Sequence, residues 1–236
     1  MNKASAVQAT PTPLTPSLKR PDLGGRLPQK IEGLLHDPLL DPSRLEKIRL
    51  LRTELLMRHE HGEQANMLAV LSPCAGEGRS QLAAELAVAF AQLGRPTLLV
   101  DADLHRPRQH LIFDLDNRQG LGTALAQGKR PTLQVVPSLP SLQLLGAGPP
   151  CDNALDLLSD RSFELMVRDW QHHFAFVVVD TPPVCEFADG LAVAATVGRL
   201  LSLSRARHTP FRSSQEMLRR LGATRTRIIG AVINHF

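Results

Sequence analysis

Three short apolar runs, each ending in a turn built from glycine, proline or aspartate, constrain most strongly what this chain can fold into. They are MLAVLS (67–72), PTLLVDAD (96–103) and FAFVVVDTPP (174–183). Their apolar character is continuous rather than alternating, which reads as strands buried on both faces. LQVVP (133–137), LQLLGA (142–147), RLLSLS (199–204) and RIIGAVIN (227–234) add further strand candidates. Helical patterns fall between them, over 81–93, 120–127, 153–158, 161–172 and 211–221. Strands alternating with helices predict an α/β fold, a mostly parallel sheet with helices on both faces.

Residues 1–40 are rich in Pro, Ser, Thr and Gly and predict a flexible tail, with one short helix around 30–35. The folded domain is expected over 41–236. It opens with a helix from about Pro42 to His59, capped by Asp41 or Ser43. Leu45, Ile48, Leu51 and Leu55 have helical spacing, as do Glu46, Arg49 and Arg52 on another face.

The first strand runs into Ser72-Pro-Cys-Ala-Gly-Glu-Gly-Arg-Ser80 and then a helix. A glycine-rich strand-to-helix turn exposes backbone N–H groups beside the positive end of the helix dipole, a cradle for phosphates. Ala75, Gly76, Glu77, Gly78, Arg79, Ser80 and Gln81 are the candidate nucleotide-binding residues, with the Ser80 hydroxyl placed for Mg²⁺. Pro73 and Arg79 stand where the usual phosphate loop has Gly and Lys. In a parallel sheet, Asp101, Asp103 and Asp180 at strand ends would face the same crevice. There they could hold Mg²⁺ or position a nucleophile. Taken singly, each aspartate reads first as a helix cap or turn residue; three strand-end motifs in the right chain order turn the reading to ATP·Mg²⁺ binding, with a plain glycine turn the lesser reading of the loop.

The net charge of +4 is uneven. Eight arginines and one acid, Glu216, lie between Arg199 and Arg227, leaving 19 basic against 22 acidic residues elsewhere. Such a run is a solvated helix face or a surface for phosphates, an acidic partner or anionic lipid. No aromatic-interleaved basic surface of the single-strand-binding kind is present, and no nucleic acid is expected. No tract approaches the ~18 apolar residues of a membrane span, so any membrane connection is expected through a partner. Cys74, Cys151 and Cys185 have no metal-ligand spacing and fit a cytoplasmic protein.

The combination of motifs resembles the bacterial tyrosine kinase family, P-loop autokinases of polysaccharide export, and within it the exopolysaccharide chain-length-determinant branch. The matching text is Glu46-x-x-Arg49-x-x-Arg52-Thr53, SPCAGEGRS, LLVDADLHRPRQH, GLGTALAQG, LLGAGPPCDNALDLLS, VVVDTPPV with Asp189 beyond it, and GAVIN. The resemblance implies a P-loop NTPase fold, with ATP and Mg²⁺ as cofactors. Gly76, Gly78, Arg79 and Ser80 would hold phosphates and metal. Asp101 would lie near the metal, Asp103 toward the incoming hydroxyl, and Asp180 would be the Walker B carboxylate. Arg79, Asp101, Asp103 and Asp180 would form the catalytic set, with Ser80, Asp101 and Asp180 at the metal. Glu46, Arg49 and Arg52 would mediate a homo-oligomer, a ring in relatives, switched on by an inner-membrane polysaccharide co-polymerase.

Three departures bear on activity. Arg79 is a planar fork rather than a point charge. His105 stands where the family's acidic motif usually carries Arg. The chain contains no tyrosine, so it cannot be its own tyrosine substrate. A phosphotransferase or ATPase acting in exopolysaccharide assembly is therefore expected, beside two alternatives. One is a non-catalytic, ATP-dependent assembly switch. The other is a partitioning-type positioning ATPase, whose signature Lys is absent at Cys74.

Overall fold

The computed structural model describes residues 42–58 and 66–235. The expected tail and its short helix lie outside them. In chain order the elements are α1 (Pro42–Met57), β1 (Met67–Leu71), α2 (Arg79–Ala91), β2 (Thr97–Asp101), α3 (Gln109–Phe113), α4 (Leu121–Gln127) and β3 (Gln134–Val135). There follow β4 (Leu142–Leu145), α5 (Ala154–Ser159), α6 (Arg161–His173), β5 (Phe176–Asp180), α7 (Asp189–Val197), β6 (Arg199–Arg205), α8 (Phe211–Leu221) and β7 (Arg227–Asn234).

The strands form one seven-stranded sheet in the order β3-β4-β2-β5-β1-β6-β7. Every pairing is parallel except β3 with β4. The continuous apolar runs are explained by two packed faces. On one face Leu98, Val100, Val177 and Val179 meet the inner sides of α4 to α8, including Phe163 and Trp170. On the other, Leu68, Val70, Leu99 and Val178 meet α1, α2 and α3. Ile48 and Leu55 of α1 are buried there, as their spacing predicts.

α1 is fastened to α2 by more than apolar contact. The Arg44 guanidinium forks onto the buried Glu85 carboxylate, Nε to Oε1 at 2.8 Å and Nη2 to Oε2 at 3.0 Å. Arg52 Nη1 donates to the Ala89 carbonyl at 2.9 Å. Two helices, α3 and α7, were not expected from the sequence. The β3–β4 pairing is antiparallel, a direction that an apolar run does not encode.

This order places β2, β5 and β1 side by side. Their register sets Asp101 opposite Asp180, and Asp180 opposite Val70, one residue before the end of β1. The carboxyl ends of three neighbouring strands thus converge on one crevice, where ligands bind in sheets of this kind.

Candidate functional site

The turn between β1 and α2 carries two glycines with positive φ, Gly76 at 76° and Gly78 at 91°. That conformation is strained for a side-chain-bearing residue. The amides of Ala75, Gly76, Glu77 and Gly78 donate to no acceptor among the described residues. They line a cavity of about 550 Å³ together with Ser80, Asp103 and Arg108. Open amides at the start of a 13-residue helix form an anion cradle.

The cradle is braced from below by Glu77, a candidate nucleotide-binding residue whose side chain takes a structural part, and by distant groups that the sequence does not connect to the loop. Glu77 is buried, and its carboxylate accepts from the Cys74 amide at 2.8 Å and from the Thr209 hydroxyl. Asn234 Nδ2 donates to the Glu77 carbonyl at 3.0 Å, and Arg205 Nη1 to the Gly76 carbonyl at 3.2 Å. Glu77 thus shapes the loop with its side chain turned inward. No sequence signal links it to residues so distant along the chain.

The three aspartates occupy different places. Asp101 is fully buried, and its oxygens accept from the amides of Asp103 (3.2 Å), Arg108 (3.0 Å) and Gln109 (2.9 Å). It sets the course of the loop leading to α3. Asp103 Oδ1 accepts from the His105 and Arg106 amides at 3.2 and 2.9 Å. Asp180 Oδ2 accepts from Gln109 Nε2 at 2.8 Å, and the same amide nitrogen reaches the Ser80 carbonyl at 2.9 Å. Burial pushes the Asp101 carboxyl well above the usual range, with Asp180 repulsion adding to it. Burial also raises Asp180, opposed by the charge of Arg79.

Arg79 lies beneath the loop, 7% exposed. Its Nη1 donates to Ser72 Oγ at 2.6 Å and its Nε to the Thr181 carbonyl. Its Nη2 is 3.7 Å from Asp103 Oδ2, and its Nε 3.8 Å from Asp180 Oδ1. The fork thus faces carboxylates, where the sequence reading had it facing phosphate.

Two buried acceptors here lack any hydrogen-bond partner, Asp180 Oδ1 and Gln109 Oε1. Orphaned buried oxygens beside a serine hydroxyl and a second carboxylate are the hard donor set that Mg²⁺ takes with one or two carboxylates and substrate phosphates. The residues present therefore fit the metal. Among the described residues no cluster of three or more His, Cys, Asp and Glu side chains is placed to hold a metal.

His105 stacks on Phe187, ring centroids 3.7 Å apart, with Nε2 3.2 Å from Asp189 Oδ1. Arg106 pairs with Glu186 at 3.0 Å. On α1, Glu46 and Arg49 form an intrahelical pair at 3.5 Å, while Arg52 turns inward to α2. Among the described residues no helix is long and apolar enough to cross a membrane.

No protein-family model matches the chain. Among curated proteins it is 28% identical over 193 residues to the putative tyrosine-protein kinase CapB of Staphylococcus aureus, covering 80% of this chain and 83% of CapB. It is 30% identical over 217 residues to the putative tyrosine-protein kinase EpsB of Ralstonia solanacearum, covering 90% of this chain but only 29% of EpsB. The kinase domain of Escherichia coli Etk superposes with a TM-score of 0.79 at 28% identity, over 92% of this chain and 84% of that one. The chimerical protein CapA2B2 gives 0.77 at 27%, over 91% and 93%. With a phosphate-loop fold and these relatives, the chain is a homologue of the bacterial tyrosine-protein kinases and is built on the fold of their kinase domains.

Proposed function

We propose that this chain binds ATP with Mg²⁺ and acts as a tyrosine-kinase-type phosphotransferase or ATPase in exopolysaccharide polymerisation and chain-length control. One observation carries the reading: free loop amides line one cavity with Ser80 and Asp103, and the orphaned oxygen of the buried Asp180 lies at the neighbouring strand end. The amides from Ala75 to Gln81 take the phosphates, with Ser80 and Asp180 toward the metal. The bound ion would neutralise charge developing on the transferred phosphoryl group. Asp103 lies toward the incoming hydroxyl, and Asp101 holds the Asp103 loop in place. With no tyrosine of its own, the chain acts on a partner or on water.

Residues 41–236 form the nucleotide-binding domain in this reading. It works at the cytoplasmic face of the inner membrane, attached through a membrane co-polymerase. The CapA2B2 chimera, a fusion by its name, supports a two-part arrangement. Self-association through α1 would use Glu46 and Arg49 beside the outward Leu50 and Met57, 58% and 82% exposed, while Arg52 is taken up by the Ala89 carbonyl within the chain. A second reading, a non-catalytic assembly switch, is favoured by the inward Arg79 fork. Single-turnover assays with labelled ATP separate the two.

The site itself is tested by nucleotide affinity in Mg²⁺ and in EDTA. The wild-type chain is expected to bind more tightly with Mg²⁺, and Asp180→Asn to lose that enhancement. An Asp180→Asn protein with unchanged Mg²⁺ dependence would remove Asp180 from the metal site.

A further inference from the structure

The position of Arg79 raises a question of charge. Asp103 and Asp180 are 5% and 0% exposed and sit directly beneath a loop that receives polyanions. A buried carboxylate pair without a counter-charge is costly in itself. It would also repel any phosphate brought above it. Arg79 is the first residue of α2, and helical side chains lean toward the N-terminus. That lean carries its guanidinium back under the loop, between the two carboxylates.

Its hydrogen bonds fix it there. Ser72 Oγ, which itself donates to the Cys74 carbonyl at 3.2 Å, and the Thr181 carbonyl take two edges of the fork. Neither bond involves a group that a nucleotide would use. The loop amides face phosphate in a cavity that Arg106 and Arg108 also line. Meanwhile Asp180 Oδ1 has the guanidinium 3.8 Å away and the Ser80 side chain beside the same carboxylate.

We propose that Arg79 is a resident counter-ion of Asp103 and Asp180, standing in for the metal and giving way to it, rather than a phosphate clamp. Resting on the ATP·Mg²⁺ reading above, this role sets the metal requirement of the site. Without Mg²⁺, Arg79 offsets one of the two carboxylate charges and nucleotide still binds. Asp103 and Asp180 would hold a bound Mg²⁺ in place of the guanidinium, and Arg79 would move off them because like charges repel at that distance.

A thermodynamic comparison tests the role. ADP affinity is measured in Mg²⁺ and in EDTA for the wild-type chain and for Arg79→Met. The counter-ion role predicts a selective loss: affinity in EDTA falls by about tenfold or more, the scale of one uncompensated charge contact. Affinity in Mg²⁺ stays within about threefold, since the metal then supplies the charge. Arg79→Lys, which keeps a cation, should behave like wild type in both. A phosphate clamp would make Arg79→Met lose equally in the two conditions, and that outcome overturns the proposal. Failure of the wild-type chain to bind nucleotide at all would instead overturn the functional reading. Should Arg79→Met not fold, crystal structures of the wild-type chain with ADP decide. The guanidinium is expected on the carboxylates without metal and off them with Mg²⁺; an Arg79 on the phosphates in the metal-free complex refutes the assignment.

Discussion

Replacing Arg44 with alanine asks how much a single ion pair between two helices contributes. Its partner Glu85 is 5% exposed on the inner face of α2, and Arg44 itself 26%. Truncation leaves the carboxylate with the Gln81 Nε2 donor at 3.0 Å. Removing one partner of a buried pair costs ~3–5 kcal/mol, whereas an exposed pair is worth ~1 kcal/mol or less. Because water reaches Arg44, the lower end applies, about 3 kcal/mol. For a domain of this size that lowers the melting temperature by roughly 6–12 °C. Urea unfolding should be followed by two probes. Trp170, buried on the opposite face of the sheet, reports global unfolding, and far-ultraviolet circular dichroism reports α1 as well. Coincident transitions at lower urea would mean that α1 is part of the cooperative unit. Arg44→Met with Glu85→Met should recover most of the loss, since an apolar pair leaves no charge stranded. A loss below about 1 kcal/mol for Arg44→Ala, or a double variant no better than the single one, would refute the buried-pair argument.

Thr209→Val keeps shape but removes the hydroxyl that donates to Glu77. Loss of a hydrogen bond to a charged group should cost about 1.5–3 kcal/mol in urea titrations, and nucleotide affinity should weaken with it because Glu77 shapes the loop. His110 has a buried, unpaired Nδ1, and burial lowers its pKa from the ordinary 6.5. Its neutral form is favoured in the fold, so its contribution to stability is complete above pH 6.5 and is lost as pH falls below that. His110→Phe should therefore show a smaller drop in urea midpoint between pH 7 and pH 5 than the wild-type chain; an equal drop would clear His110 of any part in it.

The sheet was largely legible because a strand buried on both faces must be apolar throughout, and β1, β2 and β5 are. The order of motifs also brought Ser80, Asp103 and Asp180 to one place in advance. α3 escaped because five residues hold too little periodicity to register. α7, DGLAVAATV, escaped because a helix apolar on nearly every side shows no stripe. The separate tasks of Asp101 and Asp103 were not legible: both end one strand run, and only the path of residues 102–109 decides which carboxylate is consumed by backbone amides. Gln109 was missed for the same reason. Its reach to Asp180 spans 71 residues of sequence, and a lone glutamine carries no local pattern.

The bond from Asn234 to the Glu77 carbonyl joins residues 157 apart in sequence. Closing so long a span comes late in folding, since its entropy is repaid only once β6 and β7 have added to the sheet. A nascent chain on the ribosome would carry the whole glycine-rich loop long before it could fix that loop's shape. Capacity to hold a nucleotide would then arise abruptly, once β7 joins the sheet, and ligand capture during refolding would time the moment when the sheet is complete.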